Sequence, residues 1–220
     1  MIHFTNVSKS YDTDIILKDI SFSIGKGELA FITGPSGVGK TTILKLIYCD
    51  KRPDEGQIIV AGWDLKKLKQ STIPFLRRNV GVVFQDFKLL FNKTVFDNVA
   101  LALRIQDVPP KEIKECVNDV LKEVRLKHKA NIFPEHLSGG EQQRVVIARA
   151  MVTKPTVLLA DEPTGNLDPE TSKTIMNLFR EINARGTTVL IATHNDALYS
   201  GTGRKVLYLK DSHIEKEAVG

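Results

Sequence analysis

Gly34-Pro35-Ser36-Gly37-Val38-Gly39-Lys40-Thr41 decides the fold of this chain. It fits G-x-x-x-x-G-K-[ST] at every position. It lies between Glu28-Leu29-Ala30-Phe31-Ile32-Thr33, an apolar run of strand length, and Thr41-Thr42-Ile43-Leu44-Lys45-Leu46-Ile47-Tyr48, which starts a helix. Strand, glycine-rich turn, helix is the order in which backbone N–H groups converge on phosphate oxygens. Gly34, Gly37 and Gly39 let the chain curl around the site that Ser36 shares. The helix N-terminus adds partial positive charge at the same place. Lys40 then supplies a cation to the β- and γ-phosphates, Thr41 a hydroxyl to Mg²⁺, and Thr42 reaches a nearby phosphate.

Outward from that turn, short apolar runs alternate with longer helical patterns. Residues 57–60, 80–84, 157–160 and 188–193 read as strands, the last two fully buried because they are apolar without alternation. Pro110 opens a helix carrying Ile113, Val117, Val120, Leu121 and Val124 on one face. Pro169 opens another, with Ile175, Leu178, Phe179 and Ile182, which Gly186 stops. This alternation predicts a mostly parallel sheet with helices on both faces. The first 30 residues and 57–62 alternate like hairpins and predict an antiparallel portion at one side. Val206-Leu207-Tyr208-Leu209 and His213-Ile214, joined by Asp211-Ser212, predict a closing hairpin. Residues 87–133 are strand-poor and helical, an inserted lobe.

Three further strand ends carry polar groups to the same edge of the sheet. Val157-Leu158-Leu159-Ala160 runs into Asp161-Glu162, where ligands bind in parallel α/β sheets. Asp161 is suited to hold Mg²⁺ through its water shell, and Glu162 to accept a proton from an attacking water. His194 follows residues 188–193, and Gln85 follows Phe84, in the same relation to their strands. Retention of Lys40, Asp161, Glu162 and His194 argues against a scaffold without turnover.

Composition sets the outer limits. The chain has 220 residues, 42% hydrophobic and 26% charged, with a net charge of +5. That is ordinary for one large α/β domain and excludes wholesale disorder and fibrous repeats. No apolar run approaches the ~20 residues of a membrane helix. Met1-Ile2-His3-Phe4 lacks the regions of a signal peptide, and Cys49 and Cys116 make no disulfide framework or zinc site, so a reducing cytosol is expected.

Leu137-Ser138-Gly139-Gly140-Glu141-Gln142-Gln143-Arg144 is a second glycine-rich turn at a helix start. Ser138 and Glu141 have the spacing of a capping box, and the same N–H groups can take an anion. One nucleotide's phosphates already have a loop, so a second anion site suggests a nucleotide held by another copy.

With this segment the chain resembles the ATP-binding cassette (ABC) family over essentially its whole length. The resemblance implies an α/β P-loop NTPase core with a mostly parallel sheet, an antiparallel β subdomain and an inserted helical subdomain. It implies one ABC ATPase domain over 1–220, with about 1–86 and 155–220 forming core and β subdomain and about 87–154 the helical lobe. Tyr11 matches the aromatic that stacks on adenine, Gln85 the Q-loop, His194 the switch histidine and Asp168 of Asn166-Leu167-Asp168 the D-loop. The resemblance implies ATP and Mg²⁺ as cofactors and a head-to-tail homodimer on ATP binding. Ser138, Gly139 and Gly140 of one copy would then close over the nucleotide of the other. Catalysis would fall to Glu162, His194, Lys40 and Gln85, and metal binding to Thr41, Gln85 and Asp161.

The finer resemblance is to the cell-division branch of the family, through residues 73–78, 81–90, 94–100 and 165–169. It implies an integral membrane partner of the FtsX type and, indirectly, a cell-wall hydrolase or its activator. The chain would be peripheral on the cytoplasmic side of the inner membrane at the division site, with no nucleic acid as partner. Residues 165–169 are shared with the LolD lipoprotein-release and MacB macrolide-export ATPases, so a subunit of such a transporter is the alternative. Phe84 to Leu90 is the more discriminating piece. Ribosome and DNA-repair members carry a second cassette, coiled coils or zinc modules, none of which is here. Phe87, Leu89, Leu90 and Phe91 are candidates to line a groove for a partner helix, with plain core as the competing expectation. Lys66, Lys67, Lys69, Arg77 and Arg78 form a basic stretch, read first as a solvated face and second as a contact to anionic lipid.

Overall fold

The computed structural model describes residues 1–220. Along the chain run β1 (Ile2–Tyr11), β2 (Asp14–Ile24), β3 (Leu29–Thr33), α1 (Lys40–Ile47), β4 (Glu55–Val60), β5 (Trp63–Asp64), α2 (Ile73–Arg78) and β6 (Val80–Val83). There follow α3 (Val95–Arg104), α4 (Pro110–Glu123), α5 (Gly139–Met151), β7 (Val157–Asp161), α6 (Pro169–Ala184), β8 (Thr188–Ala192), β9 (Lys205–Lys210) and β10 (His213–Val219).

The strands form two sheets. The first is antiparallel, in the order β2-β1-β4-β5, and matches the hairpin-like reading of the N-terminal region. The second has the order β10-β9-β3-β8-β7-β6, parallel from β9 to β6, with β10 antiparallel on its edge. β3, β7 and β8 are buried along their whole length, as expected of strands covered on both faces.

Their side chains divide strictly by parity. Leu29, Phe31, Leu158, Ala160, Val189 and Ile191 join a core with α3 to α6. Ala30, Ile32, Val157, Leu159, Leu190 and Ala192 join a separate core with α1 and the antiparallel sheet. The period of two along each strand thus makes three layers, with the parallel sheet in the middle.

Several boundaries differ from the sequence reading. β6 ends at Val83 and β8 at Ala192, leaving Phe84-Gln85 and Thr193-His194 as loop. α1 begins one residue early, at Lys40, and Tyr48 caps it. The C-terminal hairpin is longer than predicted, because β10 is a largely exposed edge strand whose mixed polarity hides its pattern. Of the short helices, α2 packs through Ile73 and Leu76 with α1 and the antiparallel sheet, whereas α3 packs through Val95, Val99, Ala100 and Leu103 into the helical layer.

Candidate active site

The glycine-rich turn leaves the C-terminal end of β3, in the middle of the parallel sheet, and enters α1. Gly34 has φ 149°, and a Cβ there would run into the Leu209 carbonyl of the neighbouring strand β9. Only glycine fits that close approach. No side chain caps α1 and no acidic residue occupies its first turn, so its amide end is left for an external anion. Lys40 is buried and folds back to donate to the carbonyls of Gly34 (2.8 Å) and Pro35 (3.0 Å). Its charge is held within the loop.

Asp161 closes β7 beside this turn. It is only 9% exposed, and its Oδ1 has no hydrogen-bond partner. Burial pushes its carboxyl above the usual range, and the nearby Glu162 charge adds to the rise. The Thr41 side chain, Lys40 and Lys45 pull the other way. Asp161, Thr41, Gln85 and Asn166 line one cavity of about 510 Å³. A buried acceptor with an empty coordination direction, next to a hydroxyl and an amide, is an all-oxygen donor set of the kind a hard divalent cation takes. Nowhere do three His, Cys, Asp or Glu side chains assemble as a softer metal site would need. The residues present therefore fit Mg²⁺ held largely by water and phosphate.

Glu162 adopts φ 45°, a left-handed conformation unusual for a residue with a Cβ. It is held there by its N–H donating to Ala192 of β8 (2.9 Å) and its carbonyl accepting from Gly165 (3.1 Å). The turn aims its carboxylate at His194, with Oε1 2.9 Å from Nδ1 and Oε2 accepting from the His194 backbone N–H at 3.4 Å. Lys40 Nζ lies 3.7 Å from the same Oε1. The Glu162 side chain is 11% exposed and that of His194 66%, so the pair points outward from a sheltered base. Backbone strain concentrated at such a carboxylate is characteristic of functional positions.

The structure thus brings Lys40, Thr41, Gln85, Asp161, Glu162 and His194 to one edge. It does not bring Ser138, Gly139 and Gly140 there. Ser138 caps α5, accepting from Glu141 N (3.3 Å) while Glu141 Oε2 accepts from Ser138 N (3.0 Å). This is the reciprocal box that the spacing predicted. Lys129 lies 2.5 Å from Glu141, whose carboxyl is held below its usual range, first by that hydrogen bond. Gly139 sits against Leu167, and Gly140 has room only for hydrogen beside Thr171. Asp168 caps α6 by accepting from Thr171 N at 2.9 Å. The two turns are therefore packed on one another as a unit separate from the phosphate loop. Tyr11 also stands apart at the tip of β1, with the Lys9 and Lys51 ammoniums 5.6 and 5.9 Å from its ring centre.

The four residues read as candidates for a partner groove divide into two pairs. Leu89 is buried and Phe87 packs on the core. Leu90 and Phe91 are exposed, and buried Asn98 grips the Leu90 backbone through both its N–H (2.8 Å) and its carbonyl (3.0 Å). A separate groove of about 380 Å³ is walled by Tyr48, Val82, Phe84, Ala102, Ile105 and Arg149. Tyr48, Val82 and Phe84 also face the Asp161 cavity. Residues this scattered share no sequence pattern. In the basic stretch, Arg77 is engaged structurally, donating to the carbonyls of Tyr48 (3.1 Å) and Cys49 (3.0 Å) at the end of α1.

Comparison with known proteins bears on this geometry. The family model described as ABC transporter matches residues 17–165. The chain is 50% identical over 218 residues to the cell division ATP-binding protein FtsE of Bacillus subtilis, covering 99% of this chain and 96% of that one. It is 50% identical over 215 residues to FtsE of Escherichia coli K12, covering 97% of each. Among solved structures, it is similar to the dimeric ATP-binding cassette MJ0796 in a post-hydrolysis state bound to ADP and Pi. The TM-score is 0.89 and the identity 35%, over 100% of this chain and 98% of that one.

Proposed function

The chain belongs to the ABC transporter family of ATPases, and on that premise we propose that it is the nucleotide-driven subunit of a membrane-bound cell-division machine. All 220 residues act as one ABC ATPase domain, with about 87–154 as its helical lobe. The observation that carries this reading is the constellation of Glu162, His194 and Lys40 beside a phosphate loop whose helix end is uncapped.

In this mechanism the turn from Gly34 to Gly39 and the α1 amides cradle the triphosphate, and Tyr11 stacks on adenine. Lys40 exchanges its two loop carbonyls for phosphate oxygens. Thr41, Asp161 and Gln85 would hold Mg²⁺, which would supply neutralising charge to the phosphates. Glu162 orients and accepts a proton from the attacking water. His194, kept in place by the Glu162 carboxylate, donates to charge developing at the γ-phosphate. Ser138, Gly139 and Gly140 of a second copy, with Asp168 beside them, complete the site, so turnover requires a dimer. The dimeric cassette of similar fold supports that requirement.

The names of the FtsE relatives support a role in cell division. No helix here is long and apolar enough to cross a membrane. Coupling to the bilayer then falls to a separate protein of the FtsX type. Its short helix would occupy the groove at Phe84 and Ile105, on the cytoplasmic side of the inner membrane at the division site, and its output would be a cell-wall hydrolase or its activator.

Two experiments test the reading. Glu162→Gln should retain ATP binding, lose turnover and accumulate as a dimer in size-exclusion runs; a monomer at saturating ATP refutes the two-copy site. Affinity purification from detergent-solubilised membranes should recover a four-span protein with a large extracytoplasmic loop. Recovery of a lipoprotein exporter or efflux pump would instead assign the chain to such a transporter.

A further inference from the structure

Between Gln85 and the core, the chain makes a turn that its own residues disfavour. Phe87 and Lys88 both have φ 51°, two consecutive left-handed residues, neither of them glycine. Left-handed backbone is costly for such residues, and here the cost is incurred twice in succession. The turn is closed by the Lys88 N–H donating to the Asp86 carbonyl, with an exposed Lys88–Asp86 ion pair (2.6 Å) beside it. An exposed pair of that kind contributes little, so it does not account for the conformation.

What holds the turn reaches it from another layer. Arg149, near the C-terminal end of α5, donates from Nη2 to the Phe87 carbonyl (2.8 Å) and from Nη1 to the Lys88 carbonyl (2.6 Å). Those are the carbonyls of the two left-handed residues. The guanidinium is a rigid fork, and two adjacent carbonyls turned to the same side match it. Burial pulls the guanidinium below its ordinary range, so its charge is poorly solvated and is stabilised by these two acceptors. α5 is the helix that Ser138 caps. Arg149 also forms part of the wall of the groove beside Phe84 and Ile105, while Gln85, two residues before Phe87, faces the cavity of Asp161 and Thr41.

We propose that Arg149 is a positioning residue for the ATPase reaction: its fork pins the Phe87 and Lys88 carbonyls, and so keeps Gln85 at the metal-side cavity. The pin is rooted in α5, and Arg149 forms part of the groove wall. The pinning rests on the ATPase reading of the site and needs no membrane partner.

The test uses the full chain without any membrane protein, so that failure of the partner reading leaves it untouched. Amide hydrogen exchange is followed across residues 85–91, and Mg-ATP hydrolysis is measured on the same samples. Arg149→Gln should exchange roughly 10- to 100-fold faster over 85–91, from the loss of two charge-assisted hydrogen bonds. Its kcat should fall by a comparable factor, with KM for ATP within about twofold, since the phosphate loop is intact. Arg149→Lys, which keeps the charge but not the fork, should lie between the two and remains informative if the glutamine variant folds poorly. Adding Lys88→Gly to either variant should recover roughly fivefold of both losses, because glycine accepts the left-handed conformation without help. Adding Lys88→Ala should recover none. Wild-type exchange over 85–91 in Arg149→Lys overturns the proposal, as does equal recovery by glycine and alanine at 88.

Discussion

Replacing Asp161 with Asn should stabilise the nucleotide-free protein while destroying its turnover. The carboxylate is 9% exposed, and Oδ1 meets no donor. An unsatisfied charged acceptor in that position costs about 1–3 kcal/mol, and the pull of Thr41, Lys40 and Lys45 does not cancel it, since the carboxyl is net raised. Asn preserves the shape and removes the charge. For a 220-residue chain each kcal/mol moves Tm by about 2–4 °C, so the gain should be roughly 2–12 °C. The pH dependence has a definite sign. A carboxyl raised in the folded state favours folding most below its unfolded pKa of about 3.9, and that advantage is lost as pH rises through the folded value. The difference between Asp161→Asn and wild type should therefore vanish near pH 4 and reach a plateau above the folded pKa. Differential scanning calorimetry from pH 4 to 8, without and with Mg-ATP, gives both arms. Saturating Mg-ATP should raise the wild type above the variant, because only the wild type gains the linked binding energy. A variant that melts below wild type without nucleotide at pH 7 would refute the idea that Asp161 stores a desolvation cost for a cation to relieve.

Other expectations follow from single observations. Gly34→Ala should cost about 2–6 kcal/mol, from backbone strain plus collision with the Leu209 carbonyl, whereas Gly37→Ala, with open space around it, should cost about 1–2 kcal/mol; urea titration separates them. Ser138→Arg should lose about 1 kcal/mol of cap energy and leave ATP binding by one copy intact, yet abolish turnover in a coupled phosphate-release assay. Ile105, 70% exposed in the groove wall, can become Glu with a stability change within about 0.5 kcal/mol, and calorimetry should show unchanged ATP affinity while co-purification of the membrane partner is lost.

How much of this was legible in the sequence depends on whether the physics was local. The phosphate loop was, because a strand, three glycines, a lysine and a helix lie within about twenty consecutive residues and each restricts its neighbours. The capping box at Ser138 and Glu141 was legible for the same reason: both hydrogen bonds close within one turn. The parallel sheet followed from unbroken apolar runs, but its two separate cores did not, since parity along β3, β7 and β8 has meaning only once the neighbours are known. At Phe87, Leu89, Leu90 and Phe91 hydrophobicity alone does not say which side of a turn faces out: Phe87 and Leu89 turn to the core, Leu90 and Phe91 to solvent, and Asn98, eight residues beyond Leu90, fixes the backbone there. The left-handed backbone at Glu162 and the Arg149 fork left no local signal. Each depends on partners from distant segments, Ala192 in one case and Phe87 and Lys88 in the other.

The self-capped start of α5 has a consequence for life among free anions. In a single copy, the positive end of that helix already carries the Glu141 carboxylate, and Lys129 balances it. Inorganic phosphate or a stray nucleotide meets an electrostatically closed surface there. On the proposed two-copy site, a triphosphate presented by a second copy, with its own lysine and helix end, would have to compete with that local pairing. On the two-copy reading, each encounter must then draw Glu141 away from the helix end that it caps.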